Sequence, residues 1–226
     1  MIRFEHLKIY NWMDAIRGMR NSWESWDKSD SVVIHPLEWC NKTQVLLQGF
    51  EMGPADYSLA IKLAKAGNDH AKYLRQILVS VDIIAGNEFW KEYDTYKVGT
   101  VANSTSMMHK MGSRLLTTSD LSFDVDMPDH LRELAEQAVA ITNEAIQAWR
   151  ASGKQIGSPE WRLMQKIAPM GFIYRRTCTL NYQVLKNMYH SRKSHRLQEW
   201  RELAQWVESL PYSELITLKE DVHGKA

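Results

Sequence analysis

The stretch from residue 171 to 210, GFIYRRTCTLNYQVLKNMYHSRKSHRLQEWRELAQWVESL, is the most informative part of the chain for the fold. Its first ten residues are typical of a β-strand, and the remainder predicts a long helical region. At about 100° per residue, the helix places polar side chains on two opposite faces. One face would be occupied by the core and the other by a ligand or another subunit, or else both faces pack and their polar ends reach solvent. The first face carries Asn181, Leu185, Met188 and Arg192, and the opposite face carries Gln183, Asn187 and His190.

The densest basic cluster of the chain, HSRKSHR at residues 190–196, lies within this helical region. Arginine, lysine, serine and histidine together can bind a phosphate through charge-assisted hydrogen bonds, although a solvated helix face has the same composition. Arg175 and Arg176 lie on the preceding strand, where alternation sends their side chains to opposite faces. Only one of these two arginines can therefore join a common site.

The other segments predict an α+β fold, with a mixed or antiparallel sheet flanked by long helices, because helices outnumber strands and the two do not alternate regularly. One long amphipathic helix is expected to bury a face made of Leu131, Leu134, Ala138, Ile141 and Ile146. The predicted strands are FEHLKIY (4–10), TQVLLQGF (43–50) and YLRQILVSVDIIA (73–85), the last of which a helix could also explain. The predicted helices are WMDAIRGM (12–19), ADYSLAIKLAKAG (55–67), DHLRELAEQAVAITNEAIQAWRASG (129–153) and SPEWRLMQKIA (158–168).

Bulk composition is that of an ordinary globular protein, with 226 residues, 44% hydrophobic and 24% charged. A formal charge of +1 provides no general field for nucleic acid or a membrane surface. No segment approaches the ~20 apolar residues of a membrane span, and the N-terminus does not resemble a signal peptide. We expect one cytoplasmic domain over residues 1–226, with an N-terminal region at 1–54 and a core at 55–215.

The polar stretch YDTYKVGTVANSTSMMHK, residues 93–110, is predicted to be a ligand-binding loop. Gly99 would let the backbone approach a ligand, and hydroxyl side chains at Ser104, Thr105 and Ser106 would donate hydrogen bonds. No nucleotide-binding glycine motif, zinc ligand set or serine-hydrolase motif occurs in the chain. The residues alone therefore indicate an anion-binding α+β domain without a metal.

Read in order, the same segments resemble the flavin-dependent thymidylate synthases, above all in the block from residue 167 to 207. Diverged members from phages and Gram-positive bacteria also share AIRGMRN, DTYKVGTVANS and LPYSELI with this chain. The residues at the spacing of the family pattern are Pro169, Thr179, Asn181, Leu185, Asn187, Arg192 and Gln198.

The family signature, Arg-His-Arg-x-x-Ser-x-Asn-x-x-Ser-x-Arg-Tyr, keeps two anchors here, Asn103 and Ser106. Several cationic contacts of the family are therefore absent, and each such bond is worth about 1.5–3 kcal/mol. The compensating cations would come from Lys97, Arg175, Arg176 and Arg20. The replaced positions carry Tyr96, Lys97, Val98, Val101, Met108 and His109, with Gln165 and Gln183 standing for two further arginines.

The resemblance implies a homotetrameric enzyme with active sites between subunits, which binds FAD and dUMP and uses NADPH and methylenetetrahydrofolate. It would transfer a one-carbon unit to C5 of uracil, and no enzyme nucleophile is required. The implied cofactor-binding residues are His70, Tyr96, Lys97, Asn103, Asn181, Gln183 and Asn187. The implied substrate-binding residues are Ser104, Thr105, Ser106 and Arg192, of which Ser104 takes the place of a family acidic residue.

Two alternatives stay open at this point. The altered signature suits a flavin enzyme that modifies another pyrimidine nucleotide, for example by hydroxymethylation. The missing arginines also suit a protein without catalytic activity that binds a nucleotide or a partner protein through the inherited pocket.

Overall fold

A computed structural model gives the fold, and the structure describes residues 1–34, 46–47, 49–124 and 126–219. Within these residues the helices outnumber the strands and the two types alternate irregularly. The strands are β1 (Arg3–Tyr10), β2 (Val32–Val33), β3 (Leu46–Leu47), β4 (Phe50–Glu51), β5 (Leu78–Gly86), β6 (Val101–Ser104) and β7 (Ile173–Asn181). The helices are α1 (Trp12–Arg20), α2 (Pro54–Lys65), α3 (Asn87–Tyr93), α4 (Met107–Lys110), α5 (Asp129–Ala151), α6 (Pro159–Ile167), α7 (Tyr182–Arg192), α8 (Gln198–Glu208) and α9 (Glu214–Thr217).

Five strands form the main sheet, in the order β3-β1-β5-β7-β6. β1 and β3 run parallel, with Lys8 opposite Leu46 and Ile9 opposite Leu47. β2 and β4 form a separate antiparallel ribbon. The predicted α+β class is confirmed.

Most predicted strands and helices are confirmed, with differences at several of their ends. Residues 73–85 form a strand only from Leu78 onward, because Lys72–Arg75 make a short 3-10 helix. Of the strand predicted at 43–50, residues 46–47 and 50 are in strands, whereas 43–45 and 48 lie outside the described residues. Helix α6 begins as predicted, since Ser158 Oγ accepts a hydrogen bond from the Trp161 amide at 3.1 Å.

The predicted helical region after residue 181 is two helices, α7 and α8, with a turn between them. The His195 amide donates to the Arg192 carbonyl at 2.9 Å, which tightens the chain at the end of α7. Arg201 then donates to the carbonyls of His195 and Arg196 at 2.8 and 2.7 Å. The turn contains neither proline nor glycine, so the break depends on these contacts rather than on a local signal.

The chain divides into two compact units, whose boundaries fall inside β1, β5, β6 and β7. The first unit comprises the described residues of Met1–Arg3, Ile83–Thr95 and Asn103–Arg176. The second unit comprises those of Phe4–Asp82, Tyr96–Ala102 and Thr177–Ala226. The expectation of one domain over residues 1–226 stays a prediction.

The core of the first unit lies between α5, α6 and the segment that follows α4. The predicted buried face of α5 is wrong at Leu131, Leu134 and Ile141, which are exposed, whereas Ile146 is buried and Ala138 is half-buried. The buried residues of α5 recur at intervals of three or four positions, so they form one face of the helix, and that face packs against the core. The fully buried residues of this cluster are Met111, Leu116, Leu121, Val139, Ala145, Ile146 and Met164.

Shortening Ile146 to valine should destabilise the protein, whereas the same change at Ile141 should not. Ile146 is fully buried and Ile141 is 50% exposed. We expect Ile146→Val to cost about 0.5–1.5 kcal/mol of unfolding free energy, and Ile141→Val to stay within about 0.5 kcal/mol of the parent. Urea unfolding curves of the two variants measure this, and equal losses would contradict the observed orientation of α5.

The second unit is built around large aromatic side chains and one buried ion pair. The centre of the Trp12 ring lies 5.2 Å from the centre of the Phe50 ring and 5.2 Å from the centre of the Tyr182 ring. In the first turn of α2, the fully buried Asp56 accepts a hydrogen bond from Arg20 Nε at 2.6 Å. Further donors to its carboxylate are the hydroxyls of Ser29 (2.7 Å) and Ser31 (2.6 Å), and the amides of Asp30 (3.1 Å) and Ser31 (3.0 Å).

Acid should weaken the fold through this carboxylate. Burial alone would raise the pKa of Asp56, but hydrogen bonds from Ser31, Ser29 and Arg20 outweigh it and hold the pKa below the ordinary value of 3.8. A lowered native pKa contributes stability above the unfolded pKa, and that contribution is lost as pH falls through the native value. We expect the urea midpoint to fall as the pH drops below about 4, and Asp56→Asn to flatten that fall. An unchanged pH profile in Asp56→Asn would contradict this role.

Candidate functional site

The stretch 93–110, predicted to be a loop, contains regular structure. It begins at the last residue of α3 and includes β6 and α4, and only its short connections are irregular. Residues 96–102 belong to the second unit and residues 103–110 to the first. The predicted site residues of this stretch therefore fall into two groups.

In the second unit, Tyr96 lies against Arg192, and both were predicted to bind ligand. Arg192 Nε donates a hydrogen bond to the Tyr96 hydroxyl at 3.1 Å. Its guanidinium carbon lies 5.8 Å from the centre of the Tyr96 ring and 5.1 Å from that of Trp200. These distances allow cation–π attraction, which fixes the direction of a planar cation. The structure thus holds Arg192 in place with two aromatic rings, and Trp200 was not among the predicted residues.

The next residues form an exposed turn that touches α7. Lys97 is exposed, and Gly99 adopts the left-handed conformation with φ of 79°. A Cβ atom on Gly99 would lie 3.0 Å from Val184 Cγ2 and 3.1 Å from Asn181 Nδ2. Gly99 was expected to bring the backbone close to a ligand, and in the structure it brings the backbone close to the start of α7.

Replacing Gly99 with alanine should therefore cost more than the same change at Gly67. Both glycines have positive φ, but a Cβ at Gly67 would meet no atom within 4 Å. We expect Gly67→Ala to lose about 1–2 kcal/mol through its backbone conformation alone. Gly99→Ala should lose about 1 kcal/mol more, because Asn181 and Val184 must move. Urea midpoints of the two variants provide the comparison. Identical losses of unfolding free energy would show that the contact between Gly99 and α7 does not affect stability.

Side-chain amides cluster along α7, as the helical pattern predicted. Asn181 caps the helix, its Oδ1 accepting from the Val184 amide at 3.0 Å. Gln183 is only 5% exposed, and its Nε2 donates to Asn68 Oδ1 at 3.2 Å and to Asn187 Oδ1 at 3.0 Å. Within the described part of the chain, Gln183 Oε1 is buried without a hydrogen-bond partner. A buried acceptor in this state is costly, so a donor from a ligand would satisfy it.

The turn after α2 supplies one predicted and one missed residue. His70 is exposed, and its backbone amide donates to the Gly67 carbonyl at 3.1 Å. Asn68, which holds the Gln183 amide, was not predicted, although it stands two residues before His70 in the same GNDH motif.

The basic cluster at 190–196 forms the rim of a shallow cavity of about 510 Å³. His190 Nε2 lies 3.0 Å from the Ile216 carbonyl oxygen, and His195 packs edge-on near Trp200 at 6.3 Å. Part of this cluster is therefore involved in packing, and the rest is a solvated surface. The residues that line the cavity are His190, Ser191, Lys193, Ser194, His195 and Arg196.

In the first unit, Thr105 and Ser106 line a cleft of about 480 Å³. The Thr105 amide donates to the Arg175 carbonyl at 2.9 Å, which joins the end of β6 to β7. Asn103 and Ser104 are exposed on β6 and are not among the lining residues. We call this cavity the cationic cleft, because its walls carry the positively charged Arg3, Lys110, Arg114 and Arg175 and the carboxylate of Asp120.

The three arginines considered as replacements for the missing signature cations lie in different surroundings. Arg20 is buried against Asp56. Arg176 Nη1 lies 2.5 Å from Asp94 Oδ1, and its guanidinium stacks 4.3 Å from the centre of the Trp90 ring. Arg175 lines the cationic cleft. Arg175 therefore borders a cavity, whereas Arg20 and Arg176 each lie against a carboxylate.

The residues that the structure describes contain neither a metal-binding cluster nor a membrane-spanning helix. No group of three histidine, cysteine, aspartate or glutamate side chains there could hold a metal ion. Crossing a bilayer would take a longer or more apolar helix than any in the described ranges.

Solved structures provide the comparison, since no protein-family model and no curated protein matches the sequence. The chain is similar to thymidylate synthase X from Helicobacter pylori, solved with FAD and dUMP, with a TM-score of 0.68, 13% identity and coverage of 96% of both chains. A second structure from the same organism, a flavin-dependent thymidylate synthase complexed with FAD and dUMP, gives a TM-score of 0.68 at 14% identity, over 96% of this chain and 97% of that chain. The chain therefore has the fold of flavin-dependent thymidylate synthases, in agreement with the resemblance read from its sequence.

Proposed function

We propose that this protein, which has the fold of the flavin-dependent thymidylate synthases, is a FAD-dependent enzyme that transfers a one-carbon unit to C5 of a pyrimidine deoxynucleotide. The observation that carries the proposal is the likeness over 96% of the chain to enzymes solved with FAD and dUMP. The reaction would convert dUMP to dTMP with methylenetetrahydrofolate and NADPH. The proposal includes a cytoplasmic homotetramer.

The residues on α7 fit a flavin in one respect that can be checked in the structure. A flavin ring presents N–H and carbonyl groups along its edge, and amide side chains can pair with both kinds. Gln183 Oε1 is buried without a partner in the described part of the chain, and Asn187 lies exposed beside it. The proposed cofactor contacts are His70, Tyr96, Lys97, Asn103, Asn181, Gln183 and Asn187.

The chain's own residues would bind and orient the reactants. Tyr96 and Trp200 hold the planar guanidinium of Arg192 in one orientation, in which it would bind the nucleotide. The proposed substrate contacts of the first unit are the hydroxyls of Ser104, Thr105 and Ser106, which would donate hydrogen bonds. When bound, reduced FAD supplies the redox chemistry that the one-carbon transfer requires.

The absorption spectrum of freshly purified protein is the first test. The proposal expects the absorption of an oxidised flavin above 400 nm, on the order of one FAD per chain, and NADPH oxidation that accelerates when dUMP is added. Asn187→Ala should weaken flavin retention, whereas Gln147→Ala, an exposed amide on α5, should not. A colourless protein that takes up no FAD, and whose melting temperature does not respond to dUMP, would defeat the proposal.

Product mass separates the proposed reaction from its nearest alternative. Tyr96, the exposed Lys97 and Val98 stand where the family signature carries Arg-His-Arg, which favours a changed substrate or product. Incubation with dUMP and with dCMP, followed by mass spectrometry, distinguishes a methylated from a hydroxymethylated nucleotide. A hydroxymethylated product would show that the protein catalyses this second flavin reaction rather than thymidylate synthesis.

A further inference from the structure

Three side-chain amides of the second unit, Asn68, Gln183 and Asn187, form a hydrogen-bonded series that we call the amide chain. Gln183 Nε2 donates to Asn68 Oδ1 at 3.2 Å and to Asn187 Oδ1 at 3.0 Å. An amide nitrogen carries two hydrogens, so both donors of Gln183 are used. Its Oε1 is buried and has no hydrogen-bond partner among the described residues. Gln183 is 5% exposed, whereas the two asparagines at the ends of the amide chain are exposed.

The number of unpaired groups decides the direction in which the amide chain runs. In the observed order, one buried acceptor is unpaired. If all three amides were turned over, Gln183 Oε1 would accept from both asparagines, and the two hydrogens on its buried nitrogen would be unpaired instead. Each buried polar group without a partner costs free energy, so the observed order is the more stable one. Asn187 therefore keeps its oxygen toward Gln183, and its Nδ2 is the donor that it can present to a ligand.

The backbone that carries Asn68 is fixed beside α7 by further contacts. Two amides of the turn after α2, at residues 70–71, donate to the Gly67 carbonyl at 3.1 and 3.0 Å. From α7, the buried Lys186 donates from Nζ to the Ala64 carbonyl, in the last turn of α2, at 2.6 Å. The end of α2 is thus joined to α7 at a second point, so the Asn68 side chain extends from a backbone that is already in place.

We infer that Asn68 is a positioning residue, which acts through Gln183 to keep the Nδ2 donor of Asn187 directed at the flavin. This inference rests on the proposed function, because it takes FAD as the ligand of α7. The flavin ring offers acceptors for such a donor, namely its carbonyl oxygens and ring nitrogens. Residue 68 has to supply only an acceptor, since it is the Asn68 oxygen that contacts Gln183.

Titration of the flavin-free full-length protein with FAD, followed by flavin fluorescence, tests the inference. Asn68→Ala should weaken FAD binding about tenfold, because Asn187 loses its fixed orientation. Asn68→Asp keeps the acceptor and should recover most of that affinity. Asp69→Ala removes an exposed side chain from the same turn and should leave the affinity unchanged. Thermal unfolding of each variant shows whether the fold is retained.

A double variant, Asn68→Ala with Asn187→Ala, shows whether Asn68 acts through Asn187. If it does, Asn68→Ala should weaken FAD binding no further once residue 187 is alanine. The absorption spectrum at saturating FAD is a second readout, because hydrogen bonds to the flavin ring tune its electronic structure. Asn68→Ala should shift the long-wavelength band in the same direction as Asn187→Ala, and Asn68→Asp should restore the band of the parent.

The outcomes separate this inference from the proposed function. If the parent binds FAD and Asn68→Ala binds it equally well, Asn68 has no positioning role and the proposed function stands. If the losses of the two single variants add up in the double variant, Asn68 acts independently of Asn187, and the inference is wrong. A parent protein that takes up no FAD would show that the proposed function is wrong, and the role of Asn68 with it.

Discussion

Asp56→Ala is expected to destabilise the protein by about 3–5 kcal/mol, the range for removing one partner of a buried ion pair. Asp56 is fully buried and Arg20 is 5% exposed, so the arginine would keep its charge without a counterion. The hydroxyls of Ser29 and Ser31 would lose their acceptor at the same time. Chemical unfolding followed by tryptophan fluorescence measures the loss.

Two further variants show whether the charge or the packing is responsible. Asp69→Ala removes an exposed carboxylate and should change the unfolding free energy by less than about 0.5 kcal/mol. The double variant Arg20→Leu and Asp56→Leu removes both charges, and we expect it to be more stable than Asp56→Ala. A loss below about 1 kcal/mol in Asp56→Ala would show that the pair contributes no more than a surface salt bridge.

Arg192→Ala is expected to weaken dUMP binding about 10–150-fold, the equivalent of one charge-assisted interaction of roughly 1.5–3 kcal/mol. The structure gives a reason for an effect of this size, because Arg192 is oriented before any ligand arrives. Tyr96 accepts a hydrogen bond from its Nε, and the rings of Tyr96 and Trp200 lie against its guanidinium. A cation fixed in this way loses little conformational entropy when it binds.

Conservative variants separate the charge of Arg192 from its orientation. Arg192→Lys keeps the charge but not the planar donor pattern, and should fall between the parent and Arg192→Ala. Tyr96→Phe keeps the ring and removes only the hydrogen bond, so its effect on dUMP affinity should be smaller than that of Arg192→Ala. Lys62→Ala, an exposed cation on α2, serves as the control. Unchanged dUMP affinity in Arg192→Ala, with the fold intact by circular dichroism, would remove Arg192 from the site.

The helix α5 shows where sequence reasoning succeeds and where it stops. Its extent from Asp129 to Ala151 is close to the prediction, because period and propensity are local properties. Its orientation was wrong, since Leu131, Leu134 and Ile141 are exposed while Val139, Thr142 and Ala145 are buried. Apolar residues occur on more than one face of this helix, and only the elements packed against it select the buried face.

The candidate site shows the same division. The helical pattern predicted that Asn181, Gln183, Asn187 and Arg192 would lie on two faces of one helix. In the structure Asn181 caps α7, and the other three residues belong to the helix. Asn68, which contacts Gln183, comes from the turn after α2, and Trp200, which contacts Arg192, comes from α8. Such pairings join residues far apart in the chain, so a single sequence without homologues contains no direct sign of them.

By itself, the sequence determined the fold class, most of the helices and strands, and the likeness to flavin-dependent thymidylate synthases. These follow from periodicity, from capping and from an ordered set of short motifs, all of which act over neighbouring residues. Only the tertiary structure decided which arginine borders a cavity, because Arg20, Arg175 and Arg176 differ in their surroundings and not in their local sequence signals. It also decided that Lys110 lies beside Ser106 and Ser113 in the cationic cleft. The physical reason is that the surroundings of a charged side chain are formed by residues that are far apart in the sequence and are brought together only in space.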